Sequence, residues 1–235
     1  KAILKEVTML SILFKKHHVE HVFLKGAALI ATGYYEDIAE RMIGDIDILV
    51  ATNQLDKAFE LLQQHSFKPL PLTFADKYFY HRHLPRLTTN KYIAAVELHR
   101  ELFNTYTKKE ISNELLLKNK RIQNHVFVPS AHHLIEHNIL NHEINDEGYR
   151  YNIINFRSVY DTLILNKNIC KVQPSRHVIK ELCENKYVSN HFKKTNVLLN
   201  DFKNEYSKQA KFFRFWLNNP RLNHIRIRFL KKSFF

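Results

Sequence analysis

Two aspartates stand two residues apart in Asp45-Ile46-Asp47-Ile48-Leu49-Val50. In an extended strand, residues at that spacing leave the same face, about 6.6 Å apart along the strand. Two carboxylates so placed repel by roughly 2.5 kcal/mol at an effective dielectric of ~20. The arrangement gains nothing for stability, and both charges are set among apolar residues, where an unpaired charge is costly. A divalent cation turns that penalty into binding energy, and hard oxygen ligands suit Mg²⁺ or Mn²⁺. Glu97, in Ile93-Ala94-Ala95-Val96-Glu97-Leu98, supplies a third carboxylate if its strand lies beside the first. Lys25-Gly26 stands between an apolar run and Ala27-Ala28-Leu29-Ile30-Ala31. A strand, a Lys-Gly turn and a helix start together place backbone N–H groups where a phosphate can approach closely. A second pattern, His133-Leu134-Ile135-Glu136-His137, matches the H-x-x-E-H of inverted zinc peptidases. No clear third ligand accompanies it, and histidines satisfied within a helix account for it without metal.

These residues need elements to position them. Residues 2–16 carry Ile3, Val7, Leu10 and Phe14 at the spacing of one helix face. Residues 22–24 and 45–50 read as buried strands, and 93–98 as a third. Gly33 ends the helix that Lys25-Gly26 opens. Thr52-Asn53 is placed to cap a helix over 54–65, with Leu55, Phe59 and Leu62 on one side. Beyond residue 100 the pattern turns helical, after one more strand at 125–128. Pro129-Ser130 opens a helix to about 142, and 154–165, 177–184 and 190–206 follow. The order suits the α+β class: a small mixed sheet with flanking helices over 1–128, then a helical domain over 129–235.

Composition narrows the function classes. With 45% apolar and 12% aromatic residues among 235, the chain folds rather than staying disordered. No apolar run reaches the ~18 residues of a membrane span, and charges interrupt the N-terminal apolar residues, unlike a signal peptide. Cys170 and Cys183 make no disulfide framework, so buried thiols in a reducing cytoplasm are expected. The net charge of +13 is unevenly placed. Residues 1–100 hold 13 basic against 11 acidic side chains, a net of +2, and residues 101–235 carry the remaining +11. After Glu205 no acidic residue occurs, and Phe212, Phe213, Phe215, Trp216 and Phe229 interleave with the basic ones. That composition suits phosphate backbones or anionic lipid. A helix with a packed aromatic face and a solvated basic face explains it equally.

Phe23-Leu24-Lys25-Gly26-Ala27-Ala28-Leu29, then Tyr35, then Arg41-Met42-Ile43-Gly44-Asp45-Ile46-Asp47-Ile48-Leu49-Val50 resembles the signature of an uncharacterised nucleotidyltransferase family. That family lies within the DNA polymerase beta nucleotidyltransferase superfamily. Val96-Glu97-Leu98-His99 resembles its third-carboxylate strand, usually Asp-Leu-His followed by an aromatic; here Glu97 replaces the Asp, and Arg100 the aromatic. Val128-Pro129-Ser130 and Tyr160-Asp161 resemble its helical half more loosely.

The resemblance implies transfer of a nucleoside monophosphate from ATP or another NTP to an acceptor, with Mg²⁺ or Mn²⁺. Asp45, Asp47 and Glu97 would hold metal and carry catalysis. Lys25 and Gly26 would bind phosphate in place of the superfamily's usual Gly followed by Gly or Ser. Arg41 matches an Arg four residues before the first Asp, with a phosphate or a structural role both open. A small-molecule, sugar or peptide acceptor is the first reading. Nucleic acid, reached through the basic C-terminal part, is the second. A non-catalytic binding or regulatory module and a zinc peptidase are the remaining alternatives.

Overall fold

The computed structural model describes residues 1–71, 81–103, 111–146 and 155–170. The helices expected at 177–184 and 190–206, the basic tail and both cysteine side chains lie outside them.

Helix α1 (Ala2–Lys16) buries Val7, Leu10 and Phe14 on the expected face. Strand β1 (His21–Phe23) follows, then α2 (Lys25–Thr32). All of α2 after Lys25 is buried, and Ala27, Ala28 and Ala31 let it approach the core closely. Gly33 ends it in the left-handed conformation, φ 72°, which glycine adopts without a Cβ clash. The Asn124 side chain donates to the Ala31 carbonyl, satisfying one of the last acceptors of the helix.

Strand β2 (Asp45–Val50) leads into a 3₁₀ turn (Thr52–Gln54) and α3 (Leu55–Gln64). No side chain caps this helix; the 3₁₀ turn precedes it where Thr52-Asn53 was expected to cap. Two short strands, β3 (Lys68–Pro69) and β4 (Leu87–Thr88), lead to β5 (Ala95–His99). The five strands form one sheet in the order β1-β2-β5-β4-β3. Strands β2 and β5 run parallel with Asp47 opposite Glu97, and the other pairs are antiparallel. The sheet is therefore mixed, as expected for the α+β class.

Helix α4 (Asn113–Lys118) is capped by Ser112. A hairpin of β6 (Arg121–Gln123) and β7 (Val126–Val128) stands where one strand was expected. His125 belongs to its turn rather than to a strand, with Asn124 and His125 both at positive φ, the conformation of a tight two-residue hairpin. Helix α5 (Ala131–Leu140) begins at Ser130, whose side chain accepts from the His133 N–H, and runs into a π turn (Asn141–Asn145). Helix α6 spans Phe156–Cys170, starting two residues later and ending five residues beyond the expected range.

The two faces of the sheet bury different clusters. Ile46, Ile48, Val50, Val96 and Leu98 join α1, α2, α3 and residues of α5 and α6 in one core. Val22, Leu24 and Leu49 pack with Leu102, Phe103, Leu116 and Leu140 in a second. The first cluster joins side chains from both sides of residue 128, so apolar packing is continuous across that position. Among the described residues, no helix is long and apolar enough to cross a membrane.

Candidate active site

Period-two alternation positions the site. In β2, Ile46 and Ile48 face the first core, so Asp45 and Asp47 share the opposite face. In β5, Val96 and Leu98 face that core, so Glu97 and His99 turn the same way as the aspartates. The parallel register then sets Asp47 directly beside Glu97. Asp47, Glu97 and His99 offer ligand atoms within 4.8 Å of one another, the one such group of three found among the described residues. Both carboxylates are almost fully buried. Asp45, at the more exposed end of β2, stands outside this tight group.

Three basic side chains converge on the acidic cluster. Lys25 Nζ lies 2.6 Å from Asp47 Oδ1, and His99 Nε2 lies 2.8 Å from the same oxygen and 3.5 Å from Glu97 Oε2. Arg86 reaches two strands at once: Nη2 is 3.1 Å from Asp45 Oδ2, and Nε donates to Glu97. Burial and the neighbouring Asp47 charge would raise the Glu97 carboxyl; the hydrogen bond from His99, the charge of His83 and the hydrogen bond from Arg86 outweigh them and hold its pKa at about 2. Asp47 is likewise held well below the usual carboxylate range, against its burial, by His99 and Lys25. Asp45 is raised, because burial and the neighbouring Glu97 and Asp47 charges exceed the help from Arg86.

The Glu97 shift makes an acid-unfolding prediction. A depressed folded-state pKa contributes stability above the unfolded value near 4.5, and that contribution disappears as pH falls towards about 2. Urea midpoints measured across that window should fall with acidification, by on the order of a few kcal/mol from this group. Glu97→Gln should flatten the slope; an unchanged slope would show that the cluster is not ionised as described.

The turn that carries Lys25 has its own signature. Lys25 sits at φ 48°, a left-handed conformation that costs a non-glycine residue roughly 1–2 kcal/mol. Its ion pair with Asp47 gives the strained residue a compensating contact. Gly26 follows at the start of α2, and a Cβ there would lie 3.0 Å from Ile43 Cγ1. A side chain at position 26 would therefore press on Ile43, in the segment before Asp45.

Arg41 takes a structural contact. Its Nε lies 3.0 Å from Asp161 Oδ2, and the Tyr35 hydroxyl donates to Asp161 Oδ1 at 2.6 Å. Asp161, on α6, is buried beneath them. Arg41 nonetheless lines the same cleft of about 320 Å³ as Lys25, Gly26, Asp45 and Asp47. The far wall comes from α5 and α6. His137 is fully buried on that wall, beside Phe103, and its Nε2 has no hydrogen-bond partner. Burial, reinforced by the Lys25 charge, lowers its pKa to about 3, so the imidazole is neutral.

The H-x-x-E-H pattern does not close on a metal site among the described residues. His132 pairs with Glu136 at 2.9 Å, His133 meets the Ser130 hydroxyl, and His137 turns into the cleft.

A family model described as an uncharacterised nucleotidyltransferase matches residues 1–168. The chain belongs to this family. The matched segment holds the whole mixed sheet, the three carboxylates and α5 of the nucleotidyltransferase. No curated protein matches it. Solved structures similar to it include the lincosamide antibiotic adenylyltransferase LnuA bound to lincomycin, at 15% identity and a TM-score of 0.46, covering 69% of this chain and 95% of that one. The antibiotic-resistance factor ANT(2'')-Ia matches at 10% identity and 0.48, covering 90% and 96%. An antigenic nucleotidyltransferase-like protein from Paracoccidioides brasiliensis matches at 14% and 0.44, covering 89% and 92%.

Two participants in the acidic cluster, His99 and Arg86, were not among the expected site residues. His99 was legible: it stands two residues after Glu97, the same alternation that pairs Asp45 with Asp47. Arg86 carried no signal, because its place follows from the register of β4 on β5. Leu87 pairs with Val96, which puts Arg86 beside Glu97 one step along the antiparallel pair.

Proposed function

We propose that this nucleotidyltransferase moves a nucleoside monophosphate from an NTP to a small-molecule, sugar or peptide acceptor, in a reaction that requires Mg²⁺ or Mn²⁺. The observation that carries the reading is the parallel register that sets Asp47 beside Glu97, with Asp45 one pleat away at the cleft. Carboxylate oxygens held ionised on two adjacent strands fit a hard divalent cation. Asp45, Asp47 and Glu97 are the residues proposed to hold it. A bound cation there supplies charge neutralisation for the triphosphate and lowers the pKa of the attacking acceptor hydroxyl or amine.

The chain's own residues do the rest. The acceptor's nucleophilic atom forms a bond to the α-phosphorus while the bond from that phosphorus to the bridging oxygen breaks, and pyrophosphate leaves with the electron pair. Glu97, ionised and beside Asp47, is the residue we assign to receive the acceptor's proton. His99 donates from Nε2 to Asp47 and fixes the orientation of that carboxylate. Lys25 and the start of α2 at Gly26 present positive charge and backbone N–H groups to phosphate oxygens. Arg41, through Asp161, holds the wall of the cleft, and we assign it that positioning role.

The deciding experiment is an NTP panel with Mn²⁺, read by mass spectrometry for pyrophosphate and for adducts of candidate acceptors. Pyrophosphate release with at least one NTP, dependent on the metal, is the expected result; none with any NTP would sink the reading. The +11 carried by residues 101–235 favours nucleic acid as the second acceptor class. That class predicts binding to RNA or DNA that weakens steeply between low and moderate salt.

A further inference from the structure

Arg86 stands where a bound cation would stand. Its guanidinium bridges Asp45 on β2 and Glu97 on β5, the two strands proposed to share a metal. Glu97 is 4% exposed at its side chain, whereas Arg86 is 50% exposed and covers the carboxylates from the solvent side. The guanidinium shares the neutralisation of Glu97 from this side with His83, whose Nε2 lies 4.0 Å from Glu97 Oε2.

Two like charges compete for these oxygens. A cation that binds through Asp45 Oδ2 and Glu97 Oε1 takes the two oxygens the guanidinium holds, and the long, half-exposed arm of Arg86 can swing away with Leu87 on the opposite face. A nucleotide arriving with the cation brings a polyanionic triphosphate to the cleft that Asp45 and Asp47 line, next to the Asp45 carboxylate that Arg86 already contacts. The planar fork of an arginine matches phosphate oxygens bidentately. Lys25, which lines that cleft, is a point charge held by Asp47 and cannot supply that geometry.

We propose that Arg86 is a triphosphate-binding residue that rests on Asp45 and Glu97 until a divalent cation displaces it onto the nucleotide. The inference rests on the metal-site reading above. It gives Arg86 two opposite effects: it competes with the cation alone and assists the cation with nucleotide.

The test uses the full chain, without a histidine tag and stripped by chelator, in wild-type, Arg86→Gln, Arg86→Lys and Asp47→Asn forms. Free Mn²⁺ is titrated by its electron paramagnetic resonance signal, and a non-hydrolysable α,β-methylene NTP is titrated in saturating Mn²⁺. Arg86→Gln should bind Mn²⁺ alone about tenfold tighter than wild type, and bind the analogue about tenfold more weakly. Arg86→Lys, which keeps the charge but loses the fork, should bind Mn²⁺ like wild type and the analogue more weakly. A merely structural role would weaken both ligands or neither. Unchanged or weaker Mn²⁺ binding by Arg86→Gln overturns the inference, as does unchanged binding of the analogue. If no form shows Mn²⁺ binding that Asp47→Asn abolishes, the metal-site reading itself falls, and this inference with it.

Discussion

Asp47→Asn should lower nucleotidyl transfer by at least about a thousandfold and abolish the thermal stabilisation given by Mn²⁺ with NTP. The size of the effect follows from position. Asp47 is the one carboxylate that both belongs to the tight ligand group and lines the cleft beside Lys25. An amide in its place keeps the shape but removes the charge that attracts a cation, and several kcal/mol of transition-state stabilisation go with it. Linkage gives the second readout: a ligand present at about a hundred times its dissociation constant stabilises the native state by about 2.7 kcal/mol. That shift should be present in wild type and missing in Asp47→Asn. The metal-free variant should itself lose stability, because buried His99 and the strained Lys25 both give up their carboxylate partner, so the readout is the shift that Mn²⁺ with NTP adds to each protein's own melting temperature. Comparable activity in Asp47→Asn would falsify the assignment.

The second large effect concerns stability. Asp161→Asn should destabilise the protein by about 3–5 kcal/mol, the usual result of removing one partner from a buried pair. Arg41 would keep its charge at 11% side-chain exposure with no carboxylate facing it. For a chain of this size, each kcal/mol is worth roughly 2–4 °C, so the melting temperature should fall by about 6–20 °C. Tyr35→Phe removes only one hydrogen bond from the same group and should cost about 1 kcal/mol. A double-mutant cycle on Arg41 and Asp161 separates their coupling from simple loss of packing. Additive losses would show that the pair is not a clamp. The two residues are 120 apart in sequence, so the clamp ties α6 to the segment just before Asp45. Loss of the ion pair should therefore raise the KM for NTP as well.

Local periodicity carried much of this molecule. The alternation of Asp45 and Asp47 with Ile46 and Ile48 indicated both a strand and a charged face. Ser130 before an apolar-periodic run announced a helix that its hydroxyl does cap. Glycine at position 33 marked a helix end that is indeed left-handed. Failures arose where the deciding contact is distant or the element is short. Strand β6 has an exposed Arg121 and Ile122 and no buried alternation to read. The pairing of β2 with β5 joins residues 50 apart, and nothing local specifies that they run parallel. Arg86 depends on that pairing and on a two-residue strand besides. The role of Arg41 was open because its partner, Asp161, lies on a helix 120 residues away.

The site has a consequence for the folding of the sheet itself. Ile46, Ile48, Val96 and Leu98 are fully buried on one face, and Asp45, Asp47, Glu97 and His99 lie on the other. A slip of one residue in either strand would exchange those faces. Carboxylates would then enter an apolar core built around Phe14, Ala27 and Leu62, away from the Lys25, Arg86 and His99 contacts that neutralise them. An ordinary polar face would tolerate such an error more readily. The residues proposed for catalysis thus also act as sentries of the fold, making the misaligned sheet too costly to persist.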